Sequence, residues 1–248
     1  MNCPCRMANV STMRQSMKNL FQRYTPLQII MHLGAWFPLA RLLSDLLLGN
    51  LSANPIQDMQ QRTGRAAITL LTLTLACSPL NNLFKWRETL KRRRALGLYT
   101  FMYATIHMLI FVDLDYGLAW SLMLQTIFEK PYIIVGVTTF LMLLSLALTS
   151  FDIWKQRLGK NWKRLHQTIY FIAPLAVLHY AWSKKGDFFA LSGDIVRPLI
   201  YALILAGLLI LRIPPVRKFI ASLRTRLPLV SARQRLRHNA DQHAVENS

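Results

Sequence analysis

The apolar residues of this chain fall into six blocks of about 18 to 23 residues, set apart by short polar or basic stretches. At a helical rise of about 1.5 Å per residue, each block can cross a hydrocarbon core about 30 Å thick. The blocks run over roughly 26–48, 66–84, 95–112, 131–151, 165–182 and 195–213. They predict an all-α integral membrane bundle of six transmembrane helices over 26–213. A basic N-terminal segment (1–25) precedes it, and a basic tail (214–248) follows, its end expected to be disordered. No small-residue cleavage site follows the first block, which therefore reads as an anchor and not a signal peptide. The fourth block is apolar throughout and reads as a lipid-facing or packing helix. Asn54-Pro55 and Thr63-Gly64 read as turns in the loop after the first block.

Charge gives the bundle a direction. Six crossings put both ends on one side of the membrane. With the amino terminus cytoplasmic, 23 of the 30 Lys and Arg residues fall on that side and 6 on the other, Arg41 lying within the first block. That asymmetry is a positive-inside signal, so both termini are expected in the cytoplasm. The formal net charge of +19 would suggest nucleic acid in a soluble protein. Here the excess lies between apolar blocks, where it orients helices and meets anionic lipid, and no nucleic-acid partner is expected. The three cysteines (Cys3, Cys5, Cys77) match neither a disulfide framework nor a zinc spacing, and Cys77 reads as a small apolar core residue. There is no glycine-rich phosphate loop and no dinucleotide fingerprint, so a reductant or substrate has to dock from outside the chain.

The candidate chemistry lies in the histidines. The stretch 157–182 begins basic, turns apolar and carries His166 and His179, and an ionisable residue inside a membrane span needs a partner or a role. Counted from the cytoplasmic ends of their blocks, His107 lies at about 18 Å depth and His179 at about 21 Å. Two imidazoles at one level on two neighbouring helices suit the axial ligation of one haem iron. A bis-histidine iron leaves no position for oxygen, so electron transfer is the chemistry expected.

His166 and His32, nearer the cytoplasmic side, are candidates for an inner site holding a second haem, a flavin or a quinone. Arg92, Arg93 and Arg94 are candidates for meeting its phosphate or propionate. Arg94 stands 13 residues before His107 where a second ligand on that helix would be, which argues against two haems held by the same two helices. His166 and His179 are also 13 residues apart, about 140° around an ideal helix, unless a kink at Pro174 realigns them. Every one of these residues has a plainer explanation. His107 and His179 can be hydrogen-bonded interface histidines, His166 a solvated interfacial one and His32 a packing polar residue. Arg41 and Asp45, four apart, can pair with each other, with a propionate contact the alternative for Arg41.

At these residues the chain resembles the MsrQ (YedZ) family of haem-binding membrane subunits, within the ferric-reductase-like transmembrane group. The matching pieces are Asn54-Pro55 with Thr63-Gly64-Arg65, the run ending at His107, and Thr149-Ser150. They continue through Arg157 to Trp162, His166, and His179 to Trp182. The resemblance extends over about residues 24–227. It implies b-type haem on His107 and His179, with His166 in the same ligand set, and FMN. It further implies electrons from the quinone pool or a cytoplasmic flavin reductase, delivered to a periplasmic molybdopterin reductase (MsrP) that repairs oxidised methionines. Substrate reduction would then occur in the partner, and the chain would reside in the bacterial inner membrane. Two alternatives stay open: a direct ferric or metal reductase at the outer face, and a haem-free transporter with histidines along a polar path.

Overall fold

The computed structural model describes residues 25–184, 195–216, 218, 219 and 222. Among them the structure is all-α, with no strand. In chain order the helices are α1 (Pro26–Leu47), α2 (Pro55–Phe84), α3 (Arg87–Leu109, continuing as a π-helical stretch over Ile110–Asp115), α4 (Trp120–Glu129), α5 (Pro131–Leu148), α6 (Asp152–Leu158), α7 (Lys160–Gln167), α8 (Ile169–Ser183) and α9 (Val196–Ile210). Helix α1 belongs to a unit ending at Ser52; the other helices form a second unit beginning at Ala53.

Two antiparallel hairpins make the second unit's frame. Helices α2 and α3 pack along their length, joined through Lys85, whose left-handed backbone (φ 57°) closes α2 with an N–H bond to the Asn81 carbonyl. Helices α5 and α8 form the other hairpin, α3 packs on α5, and α9 lies against α8 and α2. Leu75 and Ile172, both at 0% exposure, anchor the shared core with Ile68, Leu71, Leu143, Leu146, Val177 and Leu205. Large apolar side chains also cover the outside, including Phe128, Phe171 and Leu203. An outer surface of that kind suits lipid and not water.

Buried hydroxyls are satisfied within their own helices: Thr74, Thr100, Thr126 and Thr139 each donate to the carbonyl four residues back, at 2.6–2.9 Å. In a hydrocarbon setting that internal pairing is required. Pro79 inside α2 has no N–H for the Leu75 carbonyl. Arg212, just beyond α9, supplies the missing donor: its Nη2 reaches Leu75 O at 2.5 Å. Its Nη1 donates to the Tyr170 hydroxyl, and the guanidinium lies 5.0 Å from the Tyr170 ring centre.

Several boundaries differ from the sequence expectation. Thr63-Gly64 is no turn; it lies well inside α2, which starts eleven residues before the apolar block does. The cause is local. Asn54 Oδ1 accepts the Gln57 N–H at 3.2 Å, Pro55 occupies the first turn, and Arg62 makes two bonds to Asp58 at 2.9 and 2.8 Å. Those are helix-start features, whereas the apolar pattern registers only where the helix becomes lipid-like. Similarly α3 starts at Arg87, and the amphipathic α4 stands where no element was expected. The expected fifth helix is two, broken at Thr168; Pro174 sits inside α8 without ending it. Among the described residues, three helical stretches are long and apolar enough to cross a membrane: Pro55–Phe84, Arg87–Asp115 and Pro131–Leu148. Val196–Ile210 is apolar but shorter.

Candidate functional site

The two histidines of the middle blocks meet. The ring centres of His107, near the end of α3, and His179, near the end of α8, are 6.1 Å apart, with ring planes at 88°. Each ring is held by the other helix of its own hairpin. His107 Nδ1 lies 2.9 Å from the Gln60 carbonyl oxygen of α2, and His179 Nδ1 lies 2.7 Å from the Tyr132 carbonyl oxygen of α5. A carbonyl can only accept, so Nδ1 carries the proton in both rings. The lone pair is therefore on Nε2, the tautomer a metal ligand needs, fixed by the bond on the opposite nitrogen.

One turn after each carbonyl stands a glycine. In a helix the side chain at position i+4 lies on the same face as residue i, so a glycine there leaves room for an outside donor to approach the carbonyl of residue i. Gly64 follows Gln60 and Gly136 follows Tyr132. A Cβ on Gly64 would lie 3.2 Å from His107 Cε1, and one on Gly136 would lie 2.6 Å from His179 Cε1. In both cases Nε2 lies farther from that position than Cε1 or Nδ1 does. The halves match in spacing, with 47 residues from carbonyl to histidine in each. They differ by one hydroxyl. Thr63 Oγ1, in a residue 1% exposed, lies 3.1 Å from Gln60 O and 3.5 Å from His107 Nδ1, whereas Val135 stands at the equivalent place before Gly136.

Among the described residues no group of three or more His, Cys, Asp or Glu is placed to hold a metal ion. Bare metal sites usually draw three or four ligands from the protein. Two imidazoles with free Nε2 atoms suit a metal whose other positions a macrocycle fills.

The other expected site residues lie elsewhere. His166, on α7, stacks against Trp162 at 4.2 Å between ring centres, and its Nε2 lies 3.4 Å from Thr149 Oγ1. Trp162 Nε1 donates to the Thr149 carbonyl at 2.8 Å, so the end of α5 and the start of α7 close around that imidazole. Arg94 Nη1 is 3.4 Å from Asp152 Oδ1, both side chains more than half exposed. His32 belongs to α1, in the first unit, where Arg41 and Asp45 pair at 4.0 Å. Sequence reasoning missed Gly64, Gly136 and the carbonyls of Gln60 and Tyr132. The signal available was a glycine 43 residues before each of two histidines at one depth.

Comparison with known proteins shows which family the chain belongs to. The family model described as ferric reductase like transmembrane component matches residues 63–177. The protein-methionine-sulfoxide reductase heme-binding subunit MsrQ of Xanthomonas axonopodis pv. citri is 43% identical over 159 residues, 64% of this chain and 70% of that protein. The subunit of the same name in Cronobacter sakazakii is 40% identical over 165 residues, 66% of this chain and 82% of its own length. That of Salmonella newport is 37% identical over 197 residues, 79% of this chain and 96% of its own length. With a relative 37% identical over 96% of its own length, the chain belongs to the MsrQ family of ferric-reductase-like membrane proteins.

Proposed function

We propose that this chain is a membrane b-type cytochrome, the haem-binding electron-transfer subunit of a protein-methionine-sulfoxide reductase, with His107 and His179 as the axial ligands. One observation carries the reading: two imidazoles from different hairpins face each other with their Nδ1 protons held by backbone carbonyls. The residues fit the group. Two imidazoles with unprotonated Nε2 atoms this close would be able to hold one iron between them. The ring centres here are 6.1 Å apart. Held by His107 and His179, haem would supply reversible one-electron exchange.

The protein's own groups do the rest. Gln60 and Tyr132 fix the tautomers, and the glycines let the rings seat against α2 and α5. Tyr132 also brings its ring beside His179, 6.1 Å between centres. The six-crossing topology with both termini cytoplasmic rests on the distribution of Lys and Arg. On that topology electrons move from the cytoplasmic side outward, and methionine sulfoxide is reduced in a periplasmic molybdopterin partner of the MsrP kind. The donor is the quinone pool or a flavin reductase. His166, clasped by Trp162 and Thr149, is the candidate for an inner site taking a further haem or FMN, with Arg94 a further candidate for its anionic group. The bacterial inner membrane is the location this assigns.

The test is a reduced-minus-oxidised absorption spectrum of the purified chain. A low-spin haem b spectrum is expected, lost from the outer site in both His107→Ala and His179→Ala. A colourless protein, as the transporter alternative requires, or full haem in both variants, sinks the reading. The family model's description favours one competitor, a direct ferric reductase. Rapid reduction of ferric chelates by the purified chain, with no partner added, would support that competitor.

A further inference from the structure

The strongest unexplained regularity in the molecule is its repeated carbonyl–glycine–histidine arrangement. From it we infer that Gly64 and Gly136 are positioning residues for the two axial ligands, setting ring placement and tautomer through the carbonyls one turn before them. The inference rests on the haem reading above and extends it to residues that touch no cofactor.

Neither glycine is needed by its backbone. Both lie inside helices, at α2 and α5, with ordinary helical backbone, where glycine weakens a helix relative to alanine. A residue that costs helix stability and relieves no backbone strain is explained by what its missing side chain leaves room for. In each case that is the Cε1–Nδ1 edge of a histidine. The arrangement occurs twice, on different hairpins, with the same 47-residue separation between carbonyl and imidazole. A packing accident at one site would not reproduce the hydrogen bond, the glycine and the spacing at the other.

Clearances set an order of severity. A methyl at Gly136 would sit 2.6 Å from Cε1 and 2.7 Å from Nδ1 of His179, so the ring must move and its bond to Tyr132 O must lengthen or break. A methyl at Gly64 would meet His107 at 3.2 and 3.3 Å, so a shift of a few tenths of an ångström accommodates it. Gly97, on α3, offers a control, since its added methyl finds only Thr74 Cγ2 at 3.9 Å. Gly207 on α9 has nothing within 4 Å.

The experiment uses the full chain in detergent, with Gly136→Ala, Gly64→Ala, Gly97→Ala and Gly207→Ala compared with wild type. Haem per chain, low-spin electron paramagnetic resonance, midpoint potential and far-ultraviolet helicity are read together. The expected result is a several-fold loss of haem in Gly136→Ala. Gly64→Ala should keep its haem but with a moved resonance and potential, the ligand orientation having changed. Both controls should match wild type, and helicity should be preserved in all four. If Gly136→Ala fails to fold, Gly64→Ala alone decides through its spectrum and potential. Wild-type haem content, resonance and potential in both Gly136→Ala and Gly64→Ala would overturn the inference while leaving the haem reading standing. A colourless wild-type chain would instead defeat the haem reading.

Discussion

Arg212 and Pro79 make a pair whose energetics can be worked through. Proline at 79 deprives the Leu75 carbonyl of its helical donor at a residue with 0% exposure, and Arg212 Nη2 fills that role at 2.5 Å. Replacing Arg212 by methionine keeps much of the side chain's volume but removes both hydrogen bonds and the cation over Tyr170. A charge-assisted bond contributes about 1.5–3 kcal/mol, a buried orphan carbonyl costs about 1–3, and the two overlap because they describe one bond. A cation near an aromatic face adds about 0.5–2 kcal/mol. The sum for Arg212→Met is about 3 kcal/mol of destabilisation. In a Pro79→Ala background the Leu75 carbonyl regains an N–H from its own helix, so the same substitution should cost at least about 1 kcal/mol less. Unfolding of the four proteins of this cycle in mixed detergent, followed by far-ultraviolet circular dichroism, measures the coupling. Equal cost of Arg212→Met in both backgrounds would refute the proposed link between Arg212 and the proline.

Three further outcomes follow from contacts in the helices. Thr63 Oγ1 bonds Met59 O at 2.8 Å and also reaches Gln60 O at 3.1 Å, so under the proposed ligation Thr63→Val should slightly strengthen the His107 bond to Gln60 O and lower the haem midpoint potential; a redox titration showing a rise contradicts this. Asn54→Ala should destabilise the start of α2 by about 1 kcal/mol, with Asn54→Ser keeping most of the loss at bay, as read by thermal melting. Trp162→Phe keeps an aromatic ring beside His166 but loses the bond to the Thr149 carbonyl. A cost of about 1 kcal/mol is expected in the same melting assay, and none at all would show that the bond contributes nothing.

The sequence pattern located the bundle well because a lipid-facing helix and an apolar run are nearly the same thing. It also paired His107 with His179, since the rise per residue is constant and the two lie at similar counts into their blocks. It failed where helices are polar. The first turns of α2 and α3 bear Asp58, Arg62, Glu88 and Lys91, which pair along their own helices yet read as loop to a hydropathy argument. Thr63-Gly64 misled for a different reason. Glycine normally punctuates turns, and nothing local reveals that an imidazole 43 residues later occupies the space of its missing methyl. Helix α5 looked like filler because its contribution at Tyr132 is a backbone oxygen, a group every residue has. Pro174 looked like the natural break in the fifth block, but the interruption came at Thr168, where α7 turns His166 toward Thr149 and Trp162.

Each hairpin brings only one nitrogen to the clamp. A nascent chain that has made α2 and α3 holds a single seated ring, so if the proposed ligation holds, tight capture of a metal porphyrin waits until α5 and α8 dock beside it. Under the proposed ligation the prosthetic group acts as a bolt between two separately made halves. By mass action it stabilises the docked state by RT ln(1 + [L]/Kd), so supply of the pigment governs how much assembled protein accumulates. Starved cells should then lose the protein itself, and not merely its colour.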